Sequence, residues 1–546
     1  MLKISLFSFI LILLLHTTLW AQFQPQANSD SLKKYLNFLG SDKLQGRGTG
    51  SPGLQKAAAF ISDHLHRWQL KPAGDNNTYF QHIPMHGSLP LPQSTLELHF
   101  EKERIYLNLS DDFLLIKTGV QTFIPKPVSL VFAGYGIVAP EYDYNDYLDL
   151  DVSNKIVVVL DGEPWYEDNK GFFKGNDQTL YALAESKIRT AISRGAIGTV
   201  IIKNATEQTA FNWQKKKIEY SFEDVSLPAQ VTSHLGVLLN PDKNELLFKN
   251  APFSYQQLIQ KEKEHKLVNF DLNLKMGFNG VFTHRQFKSQ NVVAVKMGMD
   301  DSLHDSYVVI GAHYDHLGIG IPVNGDSIYN GVMDNAVGTA VLLELARLFS
   351  RNNYAARRSV VFVFFCGEEK GLLGSSYYTD HPYAPLYKTI GMVNVDGLSA
   401  MGKFLSIIPL GGNYSGLGRI LEELAAENGL KVEQIPSNMV ADESFNRSDQ
   451  VSFAQSGIPS ILLLEGFLYE TLSRSQALEK NRKWFENIYH TPFDDLKQPL
   501  DYNAIRRYTD LLYAYCNRLL NISDTPQWNE NAPFRYKFFQ NKAEKR

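Results

Sequence analysis

The chain has 546 residues, with 54 Lys and Arg against 58 Asp and Glu, a formal charge of −4. That near-neutral balance, without a basic tract, argues against a nucleic-acid partner, because phosphate contacts draw on a basic excess. Hydrophobic residues make up 44% and charged ones 21%, enough for a sizeable core, and two cysteines exclude both a disulfide-stapled scaffold and a four-cysteine zinc module.

Length alone predicts more than one domain. Lys3 precedes an apolar run from Ile4 to Leu15, and Leu19-Trp-Ala21 places a small residue just before Gln22. A basic start, about a dozen apolar residues and a small cleavage residue describe a signal peptide over 1–21. The run ends at His16, well short of the roughly 20 residues that span a bilayer. No second long apolar stretch follows. The expectation is an exported chain, periplasmic or secreted, with no membrane association after cleavage. Cys366 lies inside an apolar run, which favours a buried free thiol over a pair with Cys516.

Ser31 to Trp68 reads as helix, Gly-rich turn, helix, the turn being Gly46-Arg-Gly48-Thr-Gly50-Ser-Pro-Gly53. A phosphate loop would place Lys and Ser or Thr after the last glycine, and Leu54-Gln55 stand there instead, so the turn is structural. Pro125-Lys-Pro127 reads as a break in any strand or helix and marks a domain boundary. Beyond it come strand signals at Val128–Phe132, Lys155–Leu160 and Gly198–Ile202 and a helix near Tyr181–Ser193, enough for a small mixed α/β or β-rich domain ending in Lys261-Glu-Lys-Glu-His265. Strand-like alternation resumes at Asn291–Val295, and further strands are read at Tyr307–Ala312, Ser359–Phe365, Gly391–Val395 and Pro459–Leu464, with a helix from about Ala336 to Phe349. Apolar strands alternating with helices predict an α/β sheet layered by helices.

The chemistry sits at the ends of these strands. His313 follows the first in Gly311-Ala-His313-Tyr-Asp315-His-Leu-Gly318, Glu368 and Glu369 follow the second, and Asp396 follows the third in Val393-Asn-Val-Asp396. Asp334 lies in a loop just before the helix. In open α/β sheets ligands gather beyond the carboxyl ends of the strands, so these side chains should converge. Singly, each has a plainer reading. Asp334 could cap its helix, Glu368 and Glu369 could be solvated, His313 could be a core histidine, and Asp396 a turn residue. Together they crowd acids into one crevice, which a cation must neutralise. Histidine and carboxylate without thiolate suits zinc or another divalent metal. Two metals about 3.5–4 Å apart need a bridging carboxylate and ligands on both sides. His490, in Tyr489-His490-Thr-Pro-Phe-Asp494, supplies the missing histidine. His-Glu-x-x-His and Gly-x-Ser-x-Gly are both absent.

Taken as a set, these segments resemble the exported co-catalytic dizinc aminopeptidase family, whose relatives include glutamate carboxypeptidase-like enzymes, glutaminyl cyclases and the metal-free transferrin receptor ectodomain. Leu39–Gly50 and Gly74–Phe80 also look familial, and Phe132-Ala-Gly-Tyr-Gly136 with Arg194-Gly-Ala-Ile-Gly198 is similar to a protease-associated domain. The resemblance implies a three-layer α/β/α sandwich around a mixed, mostly parallel sheet. Its domains would be 22–125 and 272–525 for the peptidase, 126–271 for a β-rich protease-associated insertion, and 526–546 for a tail. It implies two zinc ions, Asp334 bridging them, one completed by His313 and Asp396 and the other by Glu369 and His490. Glu368 would be the general base that takes a proton from water and returns it to the leaving amine. Asp315 would orient His313, and Tyr489 would hydrogen-bond the developing oxyanion.

Two departures from the family pattern stand out. Relatives often show Arg-Ser-Asp-His where this chain reads Arg447-Ser-Asp449-Gln450, which bears on Arg447 and Asp449 as substrate contacts. Val337 replaces a commonly small polar residue. The expected function is removal of N-terminal residues from peptides with a free N-terminus. The alternatives are glutaminyl cyclisation or carboxypeptidase action on the same scaffold, or a receptor-like binding protein.

Overall fold

The computed structural model describes residues 26–116, 123–166, 172–174, 179–203, 212–351, 356–435 and 445–544. The expected signal peptide over 1–21 lies outside them. Among the described residues no helix is long and apolar enough to cross a membrane.

Strand Tyr307–His313 and strand Ser359–Phe365 are buried along their whole lengths. Such continuous apolar strands need cover on both faces. Val308, Ile310 and Ala312 join Val360, Phe362 and Phe364 on one face, where helices Val337–Phe349 and Tyr502–Asn521 add Leu342, Leu345, Tyr508 and Leu512. Val309, Val361, Val363 and Phe365 face the other way, against Tyr378 of helix Leu373–Asp380 and Phe453 of helix Gln450–Gln455. The result is three layers around one sheet. Ser359–Phe365, Tyr307–His313, Thr389–Asn394 and Ser460–Glu465 run parallel through its centre, and the flanking strands Phe282–Lys296 and Ser406–Leu410 are antiparallel to the central strands they adjoin. Because the four central strands are parallel, their carboxyl ends open on one edge.

A second, eight-stranded sheet has its own apolar clusters. Its strands run from Thr95–His99 to Phe270–Asn279, so it takes in three strands that precede residue 126. The proline break expected at Pro125 and Pro127 is corrected here: strand Phe123–Phe132 passes through both. Strand Ile156–Leu160, the neighbour on one side, reaches only Leu130–Phe132, and the ladder to Phe270–Asn279 on the other shifts register within this stretch. Proline is tolerated where no ladder bond is demanded of its missing N–H. The excursion closes through a long antiparallel ladder, Phe80–Pro90 against Phe282–Lys296, and Asp224–Ser226 returns to pair beside it on the edge of the main sheet.

The Gly-rich turn after the first helix, Ser29–Leu39, is built around Arg47, whose side chain is 1% exposed. Its guanidinium donates to the carbonyls of Tyr314 (2.9 Å), Leu39 (2.6 Å), Asn330 (2.6 Å) and Gly331 (2.9 Å). Gly46 has φ +69° and its backbone lies so close to Tyr329 that a Cβ would sit 2.3 Å from the Tyr329 oxygen. Cys366 and Cys516 are both buried and unpaired.

Arg47→Met leaves four carbonyls without a donor and should lower stability by about 3 kcal/mol or more, and Arg47→Lys should not restore it, since an ammonium cannot span that fork. Denaturant unfolding of the three proteins checks this, and Arg47→Lys matching wild type would refute it.

Candidate metal centre

His313 is the last residue of its strand, and the next parallel strand, Ser359–Phe365, runs into Gly367 (φ +74°), which turns the chain so that Glu368 and Glu369 follow. Asp396 comes two residues after Thr389–Asn394. Asp334 lies in the turn Val332–Ala336 that enters helix Val337–Phe349. It does not cap that helix: Asn335 Oδ1 accepts from the Gly338 N–H at 3.0 Å, and Asn335 Nδ2 donates to the Val395 carbonyl at 2.8 Å, tying this turn to the Asp396 loop. His490 follows helix Arg474–Asn487 at φ +58°.

Asp334 stands between the two histidines. Its Oδ1 is 3.3 Å from His313 Nε2 and its Oδ2 is 3.3 Å from His490 Nε2. His313 Nε2 is 3.4 Å from Asp396 Oδ1, and His490 Nε2 is 3.2 Å from Glu369 Oε2. Glu368 groups with His313 and Asp396, their candidate donor atoms all within 4.8 Å of one another. His490 Nε2 is buried and has no hydrogen-bond partner among the described residues. Zinc holds nitrogen and oxygen ligands at about 2.0–2.2 Å in a tetrahedron, which separates neighbouring donors by roughly 3.3 Å. The spacing of this donor set fits that geometry on both sides of Asp334.

The outer atoms of these side chains are also held. His313 Nδ1 is 3.3 Å from the Asp315 carbonyl oxygen and 3.8 Å from its Oδ1. The Asp315 carboxylate accepts from Thr49 Oγ1 (3.0 Å) and the Glu368 N–H (3.2 Å). His316 Nδ1 donates to Glu369 Oε1 at 2.6 Å, and Ser448 Oγ to Asp396 Oδ2 at 2.6 Å. Asp494 accepts from the N–H groups of Met333 (2.8 Å) and Asp334 (3.1 Å). Metal sites depend on such outer contacts to orient their ligands.

The electrostatics are those of a site built for positive charge. Burial pulls His490 down, but Glu369 and Asp334 outweigh it and push it up to about 10. His313 likewise rises well above its ordinary value, against burial, in the field of Asp396 and Glu368. Against burial, the imidazoles of His313 and His490 close beside it, with His316 farther off, hold Asp334 well below the usual carboxylate range. Glu368 is pushed the other way by burial and by Glu369, Asp396 and Asp449, despite His313. Arg47 lies behind the acids. Burial lowers it to about 10, while Asp315, Asp494, Asp334 and Glu369 support its charge.

Residues 291–516 match the model of Peptidase family M28. That stretch is similar to peptidase family M28. Aminopeptidase YwaD of Bacillus subtilis (strain 168) is 26% identical over 232 residues, 41% of this chain and 44% of the relative. Leupeptin-inactivating enzyme 1 of Streptomyces exfoliatus is 28% identical over 249 residues, 43% of this chain and 49% of the relative. The chain therefore spans less than half the length of these curated relatives. An aminopeptidase from Aneurinibacillus sp. strain AM-1 shares the fold, at TM-score 0.55 and 19% identity over 91% of this chain and 95% of that one.

Within the M28 stretch, the structure brings His313, Asp334, Glu368, Glu369, Asp396 and His490 together. Tyr489 stacks on His490, ring centroids 3.8 Å apart, and its hydroxyl has no hydrogen-bond partner among the described residues. Arg447 is exposed and close enough to Tyr489 to act on it electrostatically. Asp449 is fully buried, and burial, with Asp396 and Asp315, pushes it up to about 7 against the pull of His313. Gln450 is also fully buried, so its side chain presents nothing to a substrate. Sequence reasoning passed over His316, Asp494, Arg47 and Thr49. His316 stood inside the His313 motif and Asp494 four residues past His490, but nothing in a linear sequence says that an Asp accepts from the backbone beside Asp334.

Asp494→Ala should cost about 2–4 kcal/mol by leaving two buried N–H groups unpaired, and should reduce zinc retention because the Asp334 turn loses its anchor. Denaturant unfolding and zinc content after dialysis check both effects. Unchanged zinc retention would remove Asp494 from the support of the site.

Proposed function

We propose that the chain is an exported, two-zinc aminopeptidase that removes residues from the free N-terminus of peptides. The observation that carries this reading is Asp334, which turns one carboxylate oxygen to each of two separate histidine–acid pairs. His313 and Asp396 would complete one ion, and Glu369 and His490 the other. The names of the relatives, an aminopeptidase and a leupeptin-inactivating enzyme, agree with peptide bonds as the target.

Zinc bound there would supply Lewis acidity toward the scissile carbonyl and lower the pKa of the attacking water. The chain's own residues would do the rest. The Glu368 carboxylate lies beside His313 and Asp396, with its backbone N–H fixed on Asp315. From there it would take the proton of the water and deliver it to the departing amine nitrogen. The Tyr489 phenol is kept protonated by burial and by Asp334, Glu369 and Glu368, and its hydroxyl would donate to the carbonyl oxygen as that oxygen gains charge. Asp315 would hold the His313 ring in place. Arg447 is proposed as a substrate contact from its exposed position near Tyr489, whereas Asp449, fully buried like Gln450, has no surface to offer a substrate.

The second sheet, which resembles a protease-associated domain, would restrict access to small or unfolded peptides. Lys215, on helix Trp213–Glu219, donates to the Phe485 carbonyl at 2.8 Å, one turn before Tyr489, and Phe222 packs edge-on against Tyr329. Both contacts bring the excursion to the rim of the site. Export rests on the basic and apolar pattern of residues 1–21.

The purified chain should hold two zinc ions, cleave aminoacyl-coumarins, lose activity to chelators and ignore the N-acetylated substrate. One zinc per fully active chain would overturn the two-zinc reading and bring single-zinc chemistry such as glutaminyl cyclisation forward. Glu368→Gln should keep both ions and the fold while kcat falls by about 10²–10⁴. Turnover near wild type would show that Glu368 is not the base.

A further inference from the structure

Behind Asp396 lies a directed chain of hydrogen bonds that begins at Gln450. Gln450 Nε2 donates to the Phe445 carbonyl at 2.5 Å, which fixes the amide so that Oε1 faces Asn394. Oε1 accepts from Asn394 Nδ2 at 2.8 Å, and the second hydrogen of Nδ2 goes to Ser448 Oγ, also at 2.8 Å. A hydroxyl that accepts in this way still has its one hydrogen to donate, and Ser448 directs it to Asp396 Oδ2 at 2.6 Å. Asp396 Oδ1 is left facing His313 Nε2. Asn394 and Gln450 are fully buried and Ser448 is 4% exposed, so water does not compete for these bonds. Asn394 Oδ1 has no hydrogen-bond partner among the described residues, so nothing on that side of the amide prevents a flip. What prevents it is Gln450, because a flipped Asn394 would set its oxygen against Gln450 Oε1. Without Gln450, Asn394 could present its oxygen to Ser448, and the Ser448 hydrogen would leave Asp396.

We propose that Gln450 is a positioning residue of the metal centre. It sets the polarity of the Asn394–Ser448 link, so that Asp396 has one oxygen tied down and one free for the ion shared with His313. This rests on the two-zinc reading above.

The test measures the two stepwise zinc affinities of the full chain by competition with a chromogenic chelator. Gln450→Leu should weaken one of them by about 10–100-fold, the usual effect of losing an outer contact, and leave the other unchanged. Ser448→Ala should reproduce that loss, and as the smaller change it carries the test if Gln450→Leu does not fold. Adding Gln450→Leu to Ser448→Ala should cost no further affinity, since both break one link. Gln450→His should restore the affinity, because an imidazole offers one N–H to Phe445 and one bare nitrogen to Asn394. Two ions bound in wild type with unchanged affinities in Gln450→Leu and Ser448→Ala, even at a lower Tm, would overturn the positioning role alone. A wild-type chain that takes up fewer than two ions would overturn the two-zinc reading and this role with it.

Discussion

Asp334 faces His313 with one carboxylate oxygen and His490 with the other, 3.3 Å from each. To do so it must stay ionised while buried among Glu368, Glu369 and Asp396, an arrangement that repels itself in the absence of positive charge. Much of the surrounding architecture answers that constraint. The parallel centre of the sheet delivers His313, the Glu368–Glu369 turn and Asp396 to one edge, since parallel strands end together. The first helix and its Gly-rich turn lie behind that edge and bring Arg47, whose buried charge faces Asp315, Asp494, Asp334 and Glu369. Yet Arg47 gives its hydrogen bonds to backbone carbonyls and none to those acids. It moderates the field and leaves the carboxylate oxygens open to a ligand.

The parts of this arrangement legible in the sequence are those that a local pattern encodes. Tyr307–Ala312 and Ser359–Phe365 are unbroken apolar runs, and such runs mark strands covered on both faces, so the residues that end them could be placed at one edge without knowing any contact. His490 was reachable by counting ligands. The supporting residues were not, because their partners are far away in the chain: Thr49 meets Asp315 across 266 positions, and Asp494 meets Asp334 across 160. Gln450 shows the same gap from the other side. Its place beside Arg447 and Asp449 suggested the substrate, whereas the fold turns it inward to Asn394. Pro125 and Pro127 misled because a proline reads as a break unless the open side of its strand is known, and that depends on where Ile156–Leu160 stops pairing.

The second sheet also bears on the site through its attachment. A chain excursion joined to a sheet by one flexible linker would move independently of it. Here the Phe80–Pro90 and Phe282–Lys296 strands enter and leave as a single ladder, and Asp224–Ser226 adds a third strand to the same edge. Arg285 on that ladder also pairs with Glu223, beside Phe222. The segments that approach Tyr329 and Phe485 are thus held by main-chain pairing to the sheet that carries His313. That coupling fixes these segments against the sheet that carries His313.

The outer atoms of the acids separate their roles further. Glu369 has Oε1 tied to His316 and Asp396 has Oδ2 tied to Ser448, so each offers one oxygen to the crevice. His313 is held at Nδ1 by the Asp315 carbonyl and offers Nε2. Asp334 differs from both carboxylates: its backbone is anchored on Asp494, but among the described residues its two oxygens have only the two histidines within reach. Two acids are thereby constrained to one donor atom each while both atoms of the central acid stay uncommitted, the division that the proposed terminal ligands and bridge would need. This asymmetry needs no knowledge of the metal, and it is what the proposed pair of ions on either side of Asp334 would require.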